Sequence, residues 1–269
     1  MNNNIDIANK TIKITKQGYY KLNGQTIQLN TGDYTDVEVY SSERIKTLQN
    51  SFPAQEHTIR AGKIQIINSD SYEAAQGYEH VMVMNFANAD VPGGGFRFGA
   101  TAQEESLCRN STLYASISSD KASEMYTYNK LHLSAIPSEY MLFSKDVCVF
   151  RDAHCKLLKT PYNVSVITIP APNRRGLAML TSKDKLRAVM EDRIRIMLQI
   201  AIEQNCENIV LGAWGCGAFG HKANEVADYF KTILLKENYK QYFEHIIFAI
   251  YHGNRDGKIE AFENALLND

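Results

Sequence analysis

The 269-residue sequence has almost no net charge, no CxxC pair, no apolar run of membrane length, no internal repeat and no low-complexity tract. Each absence excludes a class of protein. With 29 basic against 30 acidic residues, a net charge of −1 and a pI of about 6.7, the chain lacks the broad basic field that nonspecific nucleic-acid binding requires. An anionic ligand must therefore be held by local donors. The five cysteines, Cys108, Cys148, Cys155, Cys206 and Cys216, are odd in number and unpaired in spacing, which argues against a disulfide framework and a zinc site alike. Free thiols in a reducing cytoplasm are expected. The opening stretch MNNNIDIANKTIKITKQ has no apolar core or cleavage-like site, and nothing later approaches the roughly 18 apolar residues of a membrane span. The expectation is a cytoplasmic protein with no membrane partner. Disorder is excluded too, because 44% hydrophobic and 22% charged residues are ordinary globular usage.

The length suits one large domain, or one domain with an accessory region. Between residues 60 and 260, short β-rich runs alternate with helical patterns: KIQIIN (63–68), HVMVMN (80–85), VSVITI (164–169), NIVLGA (208–213) and HIIFAI (245–250). That rhythm predicts an α/β layered fold around a largely buried sheet. From Leu186, the residues Val189, Met190, Ile194, Met197, Leu198 and Ala201 mark one amphipathic helix, with Thr181 and Asp184 as a capping pair. A second helix starts near Lys222, with Val226, Ala227, Phe230, Ile233 and Leu234 on one face. Both stripes read as core. Residues 1–60 read differently, with a hairpin on Asn23-Gly24 and an amphipathic stretch over Ser42 to Gln49. They form an expected accessory region. The Tyr- and Ser-rich segment 119–160 breaks the rhythm and reads as an insert over one face of the core.

NFANADVPGGGFRFGATAQEE, residues 85–105, carries the chemistry. It follows the carboxyl end of a predicted buried strand, where ligands bind in α/β sheets. Gly93, Gly94 and Gly95 have no Cβ atoms, so their amides can approach a phosphate or sugar, although an isolated Gly-rich turn has no such meaning. Leu107, Ser111, Tyr114 and Ile117 suit one helix face, which puts Glu104 and Glu105 in a first turn. Thr101-Ala102-Gln103-Glu104 matches a capping box, so Glu104 alone has a purely structural reading. Glu105 lies outside that pair and is the better candidate for a reactive carboxylate. Neighbours on a helix point roughly 100° apart, so one carboxylate can orient a ligand while the other transfers a proton.

A second glycine cluster, GAWGCGAFGH (212–221), spells GxGxxG at Gly215, Gly217 and Gly220, just before the Lys222 helix. Its amides and the helix N-terminus suit a diphosphate. A dinucleotide fold would also need an acidic residue after the next strand; Glu244 precedes that strand, and too little chain remains. Classical NAD binding is therefore not expected. Cys216 with His221 does not define a nucleophilic dyad, and His154-Cys155 lacks partners at metal-ligand spacing. Trp214 reads as an anchor. Arg174 and Arg175 read equally as phosphate contacts or a solvated pair.

GGG, then FRFGATA, then QEE resembles the signature of the poly(ADP-ribose) glycohydrolases, a branch of the macrodomain fold. NFAN upstream, INSDSYEAA (67–75), VFRD (149–152), APN (171–173) and GCGAFG (215–220) resemble its bacterial-type members in the same order, over roughly residues 40 to 267. The resemblance implies a macrodomain-like three-layer α/β/α sandwich with a mixed central sheet, comprising a catalytic domain at 61–269 and an accessory region at 1–60. It implies binding of ADP-ribose and cleavage of ribose–ribose O-glycosidic bonds, from chain ends in the bacterial branch. By that similarity Glu105 is the catalytic acid/base, Glu104 binds ribose hydroxyls, and Asn88 contacts the terminal ribose. Asn85, Gly93 and Gln103 join the substrate site. Gly94, Gly95 and the Gly217 to Phe219 loop, which includes Ala218, would enclose the diphosphate, and Gly215, Cys216 and Gly220 join the substrate site. Phe219 would pack on the distal ribose. Asn85 stands where the animal enzymes carry aspartate.

The chemistry agrees. Glycosidic cleavage passes through an oxocarbenium-like centre and needs a protonated leaving oxygen, which a carboxyl in a partly closed site supplies. No metal or cofactor is expected. The rivals are a mono-ADP-ribosyl hydrolase acting on a modified side chain or nucleobase, which would use the same acid/base, and a macrodomain that binds ADP-ribose without turnover.

Overall fold

All five apolar runs become strands of one sheet in the computed structural model, which describes residues 3–29, 32–52, 58–132, 134–251 and 256–268. Asn30 and Thr31, in the predicted hairpin segment, and Leu133, in the predicted insert, lie outside the described residues. The chain opens with α1 (Asn3–Gln17), the hairpin strands β1 (Tyr19–Leu22) and β2 (Gln25–Gln28), β3 (Glu38–Tyr40) and α2 (Ser42–Ser51). Then follow β4 (Lys63–Ile67), α3 (Ser71–Ala75), β5 (Val81–Ala87), α4 (Gln103–Asn110), α5 (Leu113–Ile117), α6 (Ser123–Leu131), β6 (Met141–Arg151) and β7 (Leu157–Pro170). The last part holds α7 (Lys183–Glu203), β8 (Asn208–Leu211), α8 (Ala223–Lys231), β9 (His245–Ala249) and α9 (Lys258–Leu266).

The seven-stranded sheet has the order β3-β6-β7-β5-β8-β9-β4. The five strands β7, β5, β8, β9 and β4 are mutually parallel, whereas β6 pairs antiparallel with β7 and β3 with β6. Alternation along β5 divides the core. Met82 and Met84 face a cluster containing Ile194 and Met197 of α7, Phe230 of α8 and Phe262 of α9. Val81 and Val83 face the other cluster, with Tyr72 of α3, Leu107 of α4, Ile117 of α5 and Met125 of α6. The result is a three-layer α/β/α sandwich on a mixed sheet. The Asn23-Gly24 turn has φ of 51° and 81°, the double positive pair of a type I′ hairpin.

Several sequence expectations need correction. Segment 119–160 is not a cover over one face: it contains α6 and supplies β6, an interior strand. Its SKD interruption hid that strand, because the ladder is irregular between Ser144 and Val147 and Asp146 takes φ of 50°. The cap of α7 is Ser182, whose side chain accepts from Lys185 N, rather than Thr181. The face drawn through Leu107, Ser111, Tyr114 and Ile117 belongs to two helices, since Ser111 is extended and bridges to Val149. Within residues 1–60, β3 joins the main sheet and Ala8 of α1 is buried in the second cluster. Among the described residues no helix is long and apolar enough to cross a membrane.

Candidate active site

The carboxyl ends of β7, β5 and β8 point the same way, so the loops at 171–182, 88–102 and 212–222 gather at one edge of the sheet. The first and last of these loops also abut directly. A Cβ on Gly215 would lie 3.4 Å from Ala171 Cβ, and one on Gly212 only 2.9 Å from Phe86 Cζ.

Pairing of β5 with β8 ends at Val83, and the side chain of Gln103 takes up backbone groups just beyond. Its Nε2 donates to Met84 O at 2.8 Å and Ser71 Oγ at 3.2 Å, and its Oε1 accepts from Phe86 N at 2.9 Å. The sequence reading put Gln103 among substrate contacts. In the structure its amide bonds the strand and Ser71. Gln103→Ala strands two backbone groups of β5 and should cost about 1–3 kcal/mol, measured by urea unfolding. A ligand contact would show the opposite pattern, with ADP-ribose affinity lost at unchanged stability.

Beyond β5, Asn88 Oδ1 accepts from Asp90 N at 2.8 Å and Val91 N at 3.0 Å, turning the chain into the glycine run. Gly93 and Gly94 take φ of 71° and 54°. A Cβ on Gly93 would meet Tyr114 Cδ2 at 2.9 Å; one on Gly95 would meet Ala100 Cβ at 2.6 Å. The chain re-enters a helix at Ala102, which is the N-cap of α4 and offers no side-chain cap. The predicted Thr101–Glu104 box is therefore not formed. That frees Glu104, whose Oε2 accepts from Asn88 N at 2.8 Å while Oε1 receives Asn85 Nδ2 at 3.4 Å. Asn85 is fully buried, also donates to Thr168 Oγ1 at 3.1 Å, and has no partner for Oδ1 among the described residues.

Glu105 faces the glycine run. Its Oε1 accepts from Gly95 N at 2.8 Å, and its Oε2 is buried with no hydrogen-bond partner among the described residues. Both carboxyls border one point, since a Cβ on Gly94 would sit 2.6 Å from Glu105 Oε1 and 3.2 Å from Glu104 Oε2.

Burial, more than any other factor, pushes the Glu104 carboxyl up to about 8; the neighbouring charge of Glu105 adds to the rise, and the bonds from Asn88, Asn85 and Gly93 oppose it. The pair thus holds a proton at neutral pH. Because the folded value lies above the ordinary 4.5, the folded state binds this proton more tightly than the unfolded chain. Its stabilising contribution is full below about pH 4.5 and is lost as the pH rises through about 8. The melting temperature should fall across that window in the wild type and less steeply in Glu104→Gln. Equal slopes would assign the titration to another group.

The second loop has Gly215 and Gly220 at φ of 76° and 75°. His221 Cδ2 would lie 2.8 Å from a Gly215 Cβ. Gly217 and Ala218 are exposed, while Cys216 and Phe219 are half-buried against the core. Trp214 is fully buried and donates to Ile169 O at 3.2 Å, the anchor role read from the sequence. Cys216 and His221 do not make a dyad. Burial pushes the thiol up to about 12, and His221 Nε2 donates to Pro172 O at 2.7 Å. Arg174 ion-pairs with Glu225 at 2.6 Å and donates its backbone N–H to Phe219 O at 2.9 Å, bracing the loop.

The profile of the microbial-type PARG catalytic domain matches residues 8–152, more than half of the chain. A poly(ADP-ribose) glycohydrolase from Thermomonospora curvata is 30% identical, with 98% of this chain and 99% of that chain covered and a TM-score of 0.88. The chain belongs to the microbial-type poly(ADP-ribose) glycohydrolase family. Another structure of the Thermomonospora curvata glycohydrolase, bound to the inhibitor ADP-HPD, superposes with a TM-score of 0.86 at 30% identity over 97% of this chain and 98% of that one. The Deinococcus radiodurans glycohydrolase in complex with ADP-ribose gives 0.77 at 30% identity, covering 86% and 94%. No curated protein matches. The glycohydrolase profile begins inside α1.

Proposed function

We propose that this chain hydrolyses the ribose–ribose O-glycosidic bonds of poly(ADP-ribose), working from chain ends and releasing ADP-ribose. The observation that carries the reading is Glu105. One oxygen is fixed by Gly95 N–H and the other is buried and unpartnered at the edge of the glycine run. A carboxyl held this way has an oxygen in reserve for a ligand, whereas both oxygens of Glu104 already accept hydrogen bonds. The family relatives bound to ADP-ribose and to ADP-HPD support the same ligand class.

In this reading the glycine amides and the 215–220 loop hold the diphosphate, and Asn88 and Glu104 orient the terminal ribose. The anomeric C–O bond breaks with its electron pair passing to the leaving ribose oxygen, which takes the proton of Glu105. The diphosphate stabilises the oxocarbenium-like centre. Water then attacks the anomeric carbon and returns a proton to the Glu105 carboxylate. The ligand-facing residues all fall within 61–269, with residues 1–60 supporting them from outside. Five free cysteines are consistent with the reducing cytoplasm as its location.

Release of free ADP-ribose from poly(ADP-ribose) by the purified protein tests the assignment. Release from mono-ADP-ribosylated protein or nucleic acid alone would move the substrate class. ADP-ribose binding with no turnover of any substrate would make it a reader.

A further inference from the structure

Resting on that reading, we infer that α1 is a positioning element for the acid pair, acting through the buried hydroxyl of Thr11. The last carbonyls of a helix have no partner within it. At the end of α4, the Arg109 carbonyl accepts from Thr11 Oγ1 at 2.7 Å, a bond between residues distant in sequence and wholly buried. Thr11 is 1% exposed, and its hydroxyl in turn accepts from Arg151 Nε at 3.4 Å. Arg151 is itself anchored by Nη1 donating to Cys155 O at 3.1 Å.

Two further contacts extend this hold to the glycine run. The Arg109 side chain folds back along its own helix and donates to Ala100 O. Ala100 Cβ occupies the space a Gly95 side chain would need, and Gly95 N–H is what fixes Glu105. From the other end of α1, Asn4 Nδ2 donates to Gly99 O at 3.2 Å. The loop and helix that carry Glu104 and Glu105 are thus gripped at Gly99 and Arg109 by one helix from outside the site.

Geometry sets the leverage. Glu104 and Arg109 stand about 7.5 Å apart along the axis at ~1.5 Å per residue, so a tilt of roughly 8° about the Arg109 end moves the Glu104 end by about 1 Å. A 1 Å misplacement of a reacting group can cost about 10²-fold in rate. Thr11 touches no reacting atom. Its role is to keep α4 from adopting neighbouring tilts.

The experiment compares wild type, Thr11→Val, Thr11→Ser and Asn4→Ala on poly(ADP-ribose), with ADP-ribose affinity by calorimetry and melting temperature for each. Thr11→Val should lose about tenfold in kcat, with KM and ADP-ribose affinity held within about twofold, and Thr11→Ser should restore most of it. Asn4→Ala, which leaves the buried core alone, should lose about threefold in kcat. Wild-type kcat in Thr11→Val, or a serine variant as slow as the valine one, overturns the inference. So does a loss in which kcat, ADP-ribose affinity and folded fraction fall together, which is simple destabilisation. A wild type that releases no ADP-ribose removes the reaction and the inference at once; an active wild type with unaffected variants removes only the inference.

Discussion

Glu105→Gln should lower kcat for ADP-ribose release by about 10²–10⁴-fold while leaving ADP-ribose affinity within a few-fold of wild type. Glutamine is nearly isosteric, and its carbonyl can keep the bond from Gly95 N–H that Oε1 accepts at 2.8 Å. What it places at the unpartnered Oε2 position is an amide that can donate a hydrogen bond but cannot release a proton. Binding should therefore survive and proton transfer should not. Glu104 is the competing acid, because its carboxyl is the one pushed up to about 8 and so retains a proton at neutral pH. The proposed reading nevertheless gives the acid role to Glu105, because Asn88 N and Asn85 Nδ2 already occupy both oxygens of Glu104. Turnover near the wild-type rate in Glu105→Gln would reverse the two roles, and a matching collapse in Glu104→Gln would complete the reversal. The assay needs single-turnover conditions, so that slow product release does not mask a slower chemical step.

The glycine and glutamate motif was legible because its chemistry is local. A strand end, a run without Cβ atoms and a first-turn carboxylate all lie within residues 85–105, and the structure brings Glu105 against Gly95 as that order implies. Parallel strands were legible for a similar reason. Buried on both faces, β5, β8 and β9 are continuous apolar runs, which a single sequence displays directly. What depends on distant partners was not visible. β6 carries lysine and aspartate at its irregular middle, so its pattern breaks where its pairing with β7 shifts register. Gln103 looks like any polar residue beside two glutamates until the open side of β5 arrives to receive its amide. Arg193 lies in the middle of α7, where the apolar stripe drew attention away from it. It is nevertheless 3% exposed and donates to Pro170 O at 2.6 Å and Ser138 O at 3.0 Å, tying the end of β7 to the chain after α6. The cap at Ala102 shows the converse error, where a valid local pattern is overruled. Glu104 has better partners in Asn88 and Asn85 than the backbone of Thr101 can offer.

Gly94→Ala is expected to be nearly as damaging as loss of the acid, although it removes no functional group. Gly94 has φ of 54°, where an alanine costs about 1–2 kcal/mol. The larger effect is steric. The new methyl would lie 2.6 Å from Glu105 Oε1 and 3.4 Å from Glu105 Cδ, with Glu104 Oε2 at 3.2 Å. A carboxylate on an exposed side chain would swing aside cheaply, but Glu105 is only 7% exposed and already bonded to Gly95 N. Relief of the clash must therefore break that bond or shift the glycine run, and either displaces the Glu105 carboxyl. A loss of about 10²-fold in kcat follows if placement matters as it does in other enzymes. Gly217→Ala supplies the contrast. Its Cβ meets nothing within 4 Å and its φ is not positive, so the folded protein should melt at the wild-type temperature. If the 215–220 loop lies against the diphosphate, the same methyl should weaken ADP-ribose binding while the rate at saturation changes far less. Two glycines in two loops would then separate chemistry from binding: Gly94 because its missing side chain makes room for a catalytic carboxylate, Gly217 because its missing side chain makes room for the ligand. Wild-type kcat in Gly94→Ala would mean that Glu105 tolerates displacement, which is incompatible with an acid that must meet its leaving oxygen within hydrogen-bond reach.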